Sequence, residues 1–231
     1  MVRSLTRRPA AVTAAMLGIV MSLSLITSAS MKYGHAGSPI AASAEDIKPS
    51  MAGDAAPRFI VETVDNEPFV FDPQALEKPV LLISFRGGWC PHCNFHLSEL
   101  RDVIPEVHKL GVEVIFLSGD RPGLLYESLK RETQEDIANL QYRIVSDADA
   151  QAAIALGIAF EAAEKTIQRR HEKGDDIEGS SMLRHGVLPV PSVFAVGTDG
   201  VIAFAYSNPD YKVRLPADEL LQVARDLTTS K

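Results

Sequence analysis

Cysteine is nearly absent from this chain: of 231 residues only Cys90 and Cys93 carry a thiol, and Trp89, just before them, is the single tryptophan. With only Pro91 and His92 between them, the two cysteines cannot form a disulfide-stapled scaffold, because a bridge closing so short a loop removes little entropy from the unfolded chain. Basic charge is also scarce. Lys and Arg number 23 against 30 Asp and Glu, a formal net charge of -7, and no basic stripe with interleaved aromatics is present to neutralise phosphates, which sets nucleic acid aside. A hydrophobic fraction of 46% with 23% charged residues excludes a disordered chain and a multi-span membrane protein.

What is present begins with a leader. Arg3, Arg7 and Arg8 precede the uncharged apolar run from Ala10 to Ile26, the layout of an export signal. Small-residue cleavage sites end at Ala29 and at Ala44, and Ala42-Ser43-Ala44 favours the second. Residues 1–44 are therefore read as a signal peptide, with export to the periplasm or beyond. Residues 10–29 would anchor the protein in a membrane if the leader stayed uncleaved, since they are just long enough to cross ~30 Å of hydrocarbon. Residues 45–57, with Pro49, Gly53, Asp54 and Pro57, read as a linker, and 58–231 as one domain. In an oxidising compartment a pair this close is better suited to opening and closing than to stapling, which is redox chemistry.

Periodicity gives an α/β domain. Phe59-Ile60-Val61 and Phe69-Val70-Phe71 flank a turn at Asp65-Asn66-Glu67, an N-terminal β-hairpin. The run from Pro79 to Phe85 predicts a strand buried on both faces. From Pro91 the spacing turns helical, with Pro105 bending or dividing the helix, and Val112 to Ser118 is a second buried strand. Such a strand–helix–strand unit makes the strands parallel. Further along, a helix over Gly123–Glu135, a strand at Tyr142–Ser146 and a short helix at Ala148–Leu156 are expected. Residues 161–186 read as a helical insertion outside the core. A hairpin turns at Gly197-Thr198-Asp199-Gly200, and Ala217–Leu227 closes the domain as a helix.

The chemistry lies in Trp89-Cys90-Pro91-His92-Cys93. Placed between a buried strand and a helix, Cys90 meets free N–H groups and the positive end of the helix dipole, which favour thiolate over thiol. That makes Cys90 the nucleophile and Cys93, one turn further in, the resolving thiol. His92 adds an ionisable group that favours the thiolate where it is protonated. Trp89 either packs or shields the disulfide, and His96 and His108 read as surface histidines. Val190-Pro191 precedes the late strand, the place where a thioredoxin-like sheet sets a cis proline opposite its disulfide, with Leu188-Pro189 as the competing position.

The run Phe85-Arg86-Gly87-Gly88-Trp89-Cys90-Pro91-His92-Cys93-Asn94 resembles the motif of the peroxiredoxin-like branch of the alkyl hydroperoxide reductase and thiol-specific antioxidant family. The likeness continues through Leu188 to Phe194, Asp199-Gly200 and Asn208-Pro209-Asp210-Tyr211, spanning roughly residues 58–228. It implies a thioredoxin-like fold with a mixed central sheet flanked by helices, and an insertion before the cis-Pro loop. It also implies a thiol peroxidase: Cys90 attacks a peroxide, becomes a sulfenic acid, and condenses with Cys93, after which a thioredoxin-like donor reduces the disulfide. No cofactor or metal is called for. The family places a Thr three residues before the peroxidatic Cys and an Arg beside it. Here Gly87 stands at the Thr position, while Arg86 and Arg214 are both candidates for the cation. An exported thiol–disulfide oxidoreductase acting on protein cysteines would use the same two sulfurs. A copper-binding protein on this fold would need a third soft ligand such as His185, and such proteins usually separate their cysteines by three residues rather than two.

Overall fold

The computed structural model describes residues 40–125, 127, 143–174 and 177–229. The leader, and most of the helix expected over 123–135, lie outside the described residues, apart from a helical turn at Pro122–Leu125.

β1 (Phe59–Glu62) and β2 (Pro68–Phe71) form the expected N-terminal hairpin, with Phe59 opposite Phe71 and their rings stacked 4.8 Å apart. β3 (Val80–Phe85) is buried along its whole length because both of its faces are covered. β4 (Glu113–Ser118) and β5 (Arg143–Ser146) follow it in parallel register. Two short strands, β6 (Ala159–Glu161) and β7 (Val187–Pro189), make a separate antiparallel pair. β8 (Ser192–Val196) and β9 (Ile202–Ser207) then form an antiparallel hairpin against the far side of β3. The main sheet is mixed and runs β2-β1-β5-β4-β3-β8-β9.

Alternation along β3 divides the core. Leu81, Ile83 and Phe85 face one layer together with Cys90, Cys93, Leu100 and Phe116. Val80 and Leu82 face the other, with Phe71, Leu117, Met182 and Phe194. The first layer is covered by α1 (Pro91–Leu100), α2 (Ile104–Lys109) and the C-terminal α7 (Ala217–Thr229). Pro105 divides α1 from α2: it occupies the first turn of the new helix, where its missing N–H is no loss. Over the rest of the chain lie α3 (Pro122–Leu125), α4 (Gln151–Ala155), α5 (Glu164–Glu172) and α6 (Ser181–His185).

Three expectations need correction. Residues 45–57 are not a linker, and order does not begin at Arg58. Ala41 pairs with the edge of β6 through its N–H to Ala159 and its carbonyl from Glu161, Ala44 is buried, and Gly53, Asp54 and Ala56 hydrogen-bond to Ile202 and Gly200. The turn-rich composition is real, but its backbone satisfies sheet groups that would otherwise be unpaired. Nor is the insertion wholly outside the core. Ile177, Ser180, Ser181 and Met182 are buried, and Arg121 and Ser181 donate their N–H groups to Gly179 and Gly119, which docks this stretch against the loop after β4. Finally, among the described residues every peptide bond is trans, Val190-Pro191 included. The Val190 N–H is held by the Ile158 carbonyl at 2.8 Å, and the chain runs extended from β7 into β8. The residue before proline prefers that conformation, and trans is the lower-energy isomer by about 0.5–1 kcal/mol.

Candidate active site

The site forms at the carboxyl ends of β3 and β4, where the chain must leave the sheet and start α1. Gly87 has φ +136°, a conformation closed to other residues. The Gly88 N–H donates to Asp120 Oδ2 at 2.7 Å, and the Cys90 N–H to the Gly87 carbonyl at 3.1 Å, which fixes a tight turn. Asn94, buried one turn into α1, donates from its amide to the Gly88 and Cys90 carbonyls and ties the helix back to that turn. Cys90 is consequently the N-cap of α1, with Pro91 in its first turn.

Both sulfurs are buried and unbridged. The Cys90 thiol is lowered to about 6, first by the hydrogen bond that the Cys93 thiol donates to it; burial opposes the shift, while the Cys93 N–H, Arg86 and Arg214 support it. Burial pushes Cys93 well above the ordinary thiol range, and the charge on Cys90 pushes the same way. The pair is thus divided into a thiol that ionises readily and a partner that keeps its proton.

Structure brings both candidate arginines to the sulfurs. Arg86 is buried, its guanidinium 4.3 Å from the Tyr211 ring centre and 5.6 Å from that of Phe160. Burial lowers its pKa, and the negative charge of Cys90 and then Cys93 resists that. Arg214, from the loop before α7, donates Nη2 to Cys93 Sγ at 3.5 Å. Pro191 lies across a small cleft that also includes Arg214, His96 and Ser192. His92 is exposed, its ring edge-on to Tyr211 at 5.4 Å. The two guanidiniums are cations whose charge lowers the Cys90 thiol. Trp89 packs against both core layers, with Arg170 of α5 over its ring at 5.3 Å.

Sequence reasoning missed His96, which is buried rather than on the surface. Its Nε2 hydrogen-bonds the Leu215 carbonyl at 3.1 Å, so it holds the loop that carries Arg214. Its position one turn after Cys93, on the helix face shared with Leu100, was the available signal. Burial, then Arg214, lowers its pKa to about 4. A histidine ordinarily near 6.5 that is harder to protonate in the fold contributes stability present in full above pH 6.5 and lost as pH falls toward 4. Between pH 6.5 and 4 the unfolding free energy of the wild type should therefore fall by about 3 kcal/mol more than that of His96→Asn, read by acid titration of both proteins.

Gly87, at the position of the family's threonine, cannot simply be replaced by one. A Cβ there would lie 2.4 Å from Asp120 Oδ1 and 2.7 Å from Trp89 Nε1, on a backbone that L residues avoid. Gly87→Thr is expected to cost about 3 kcal/mol and to lower the melting temperature by roughly 6–12 °C, read by thermal unfolding. The copper reading fares no better: His185 is taken up by Asp149, 3.0 Å away, and no cluster of metal-ligating side chains occurs among the described residues.

The model of the AhpC/TSA family matches residues 52–205, about two thirds of the chain. The chain belongs to the AhpC/TSA family. Peroxiredoxin Bcp of Escherichia coli K12 is 29% identical over 142 residues, covering 60% of this chain and 86% of that protein. A peroxiredoxin-like protein of Aquifex aeolicus superposes with a TM-score of 0.57 at 18% identity, over 78% of this chain and 90% of the other. Reduced Prx3 of Vibrio vulnificus, solved in complex with hydrogen peroxide, gives a TM-score of 0.58 at 15% identity, over 76% and 99%. At those identities the structures establish the shared fold, the thioredoxin-like fold of the peroxiredoxins.

Proposed function

We propose that this AhpC/TSA protein is a thiol-dependent peroxidase that reduces hydrogen peroxide or organic hydroperoxides through Cys90 and Cys93. The observation that carries it is the division of labour between two adjacent sulfurs, one lowered to about 6 and the other held protonated beside two guanidiniums. The Cys90 thiolate attacks the terminal oxygen of the O–O bond; the bond breaks, Cys90 becomes sulfenic acid, and the alcohol or water leaves with the second oxygen. Cys93 then displaces water from the sulfenic acid, giving the Cys90–Cys93 disulfide. A thioredoxin-like dithiol returns both sulfurs to thiols and leaves as its own disulfide. Arg86 Nε, Arg214 Nε and Trp89 Nε1 are buried donors with no hydrogen-bond partner among the described residues, and they suit the oxygens of a peroxide.

The test is turnover coupled to a thioredoxin, its reductase and a nicotinamide donor. One donor dithiol should be consumed per peroxide, and the protein recovered before reduction should carry the intramolecular disulfide. Consumption of peroxide with no dithiol oxidised would refute this cycle.

We also propose that the chain is exported by its leader. The pairing of Ala41 with β6 favours cleavage upstream of residue 40, at Ala29 rather than Ala44, because a cut at Ala44 would remove that contact. Among the described residues no helix is long and apolar enough to cross a membrane. Terminal sequencing of the protein recovered from a periplasmic fraction tests this, and a mature protein starting at Glu45 would contradict it.

A further inference from the structure

An open groove of about 820 Å³ is bounded by α5, by residues 42–45, and by Phe160, Pro209 and Tyr211. Arg86, the buried cation next to the sulfurs, is part of its wall, so the groove and the reacting centre share that side chain. Lys165, Arg169, Arg170 and Lys173 line the same space. Along α5 and its C-terminal cap, Lys165, Arg169 and Lys173 recur every four residues and form a single row.

A solvated helix face would account for scattered charge, but three features go further. Like charges four residues apart cost a helix about 0.2–0.5 kcal/mol per pair, and this row has two such pairs. The helix dipole explains cations in the last turn, but it disfavours Lys165 in the first. The row also stands in a chain whose formal charge is -7, so this is a local reversal of sign, although Glu45, Glu161 and Glu164 also border the groove. Arg170, over the Trp89 ring, links α5 physically to the residue preceding Cys90.

We propose that this groove is the entry channel for organic hydroperoxides that carry a carboxylate at the end remote from the –OOH group. Lys165, Arg169 and Lys173 hold the carboxylate while the –OOH passes Arg86 to reach Cys90. The chemistry at sulfur is that of the peroxidase cycle, on which this substrate assignment rests. A row of cations over a walled groove raises the local concentration of an anion, an effect that weakens with salt.

Cumene hydroperoxide and its para-carboxylate provide the test, with oxidation of the reduced full-length protein followed by stopped flow. The carboxylate should react about tenfold faster at low ionic strength, with the preference shrinking as salt rises. In Lys165→Gln/Arg169→Gln/Lys173→Gln, which keeps good helix formers, the ratio of the two rates should fall to about one. Arg225→Gln, a charge lost from the exposed face of α7, should keep the preference. The unreactive para-isopropylbenzoate should quench Trp89 fluorescence in the wild type and not in the triple variant. A ratio near one in the wild type, or a preference surviving in the triple variant, overturns the proposal. Peroxides reacting no faster than with free cysteine, while para-isopropylbenzoate still binds only the wild type, would instead sink the peroxidase reading and leave the anion-binding groove standing.

Discussion

Replacing Cys90 by Ser is expected to lower the rate of peroxide-driven oxidation by on the order of 10³-fold or more, the scale on which loss of a nucleophile acts. A hydroxyl in that place has no accessible anion near neutral pH, so the helix N-terminus and the two guanidiniums have no charge to stabilise. The fold should tolerate the change, since the N-cap position favours Ser. Peroxide consumption, measured alongside circular dichroism of the variant, separates lost chemistry from lost structure.

Cys93 supports two effects that a pair of substitutions separates. Cys93→Ala removes the donor that does most to lower the Cys90 thiol. With a pKa of about 6, roughly nine tenths of Cys90 is thiolate at pH 7; near the ordinary ~8.5 the fraction is roughly 3%. The first oxidation step should slow about 30-fold at pH 7 and recover at high pH, because a rate that rises through pH 6 in the wild type would rise through about 8.5 in the variant. Cys93→Ser offers an O–H donor in the same place and should retain more of the rate at pH 7. Neither variant makes the disulfide, so both should accumulate sulfenic acid that dimedone traps. Equal rates for wild type and Cys93→Ala across pH 5 to 9 would show that the partner thiol does not set the reactivity of Cys90.

Much of this was legible in the chain because local and global preferences agree. A six-residue apolar strand, two glycines, a cysteine and a proline at N1 specify a strand–turn–helix with the sulfur at its corner. The motif therefore located the fold and pointed to the thiol at that corner. Pairings between distant segments were less visible. Nothing in Ala41 or Gly53 marks them as partners of β6 and β9, because backbone hydrogen bonds leave no side-chain signature. The buried half of the insertion was hidden for a related reason: Ser180 and Ser181 are polar residues whose burial follows from docking on Gly119. Arg214 lies 121 positions from Cys93 in sequence, and only the closing of β9 and α7 onto the first core layer brings it to the sulfur. His96 was misplaced because a polar residue on a helix is ordinarily solvated, whereas here the Leu215 carbonyl supplies the partner that permits burial.

On the proposed reading, Cys90 is a peroxide-reactive thiolate made so by its partner sulfur and two arginines. Stopped-flow Trp89 fluorescence of the reduced protein, mixed with hydrogen peroxide and separately with a model disulfide, tests it most directly. Oxidation by peroxide should be far faster than that of free cysteine, with a pH profile rising through about 6. Peroxide reacting no faster than with free cysteine while disulfide exchange is rapid would contradict it, and would leave a thiol–disulfide oxidoreductase on a peroxidase's fold.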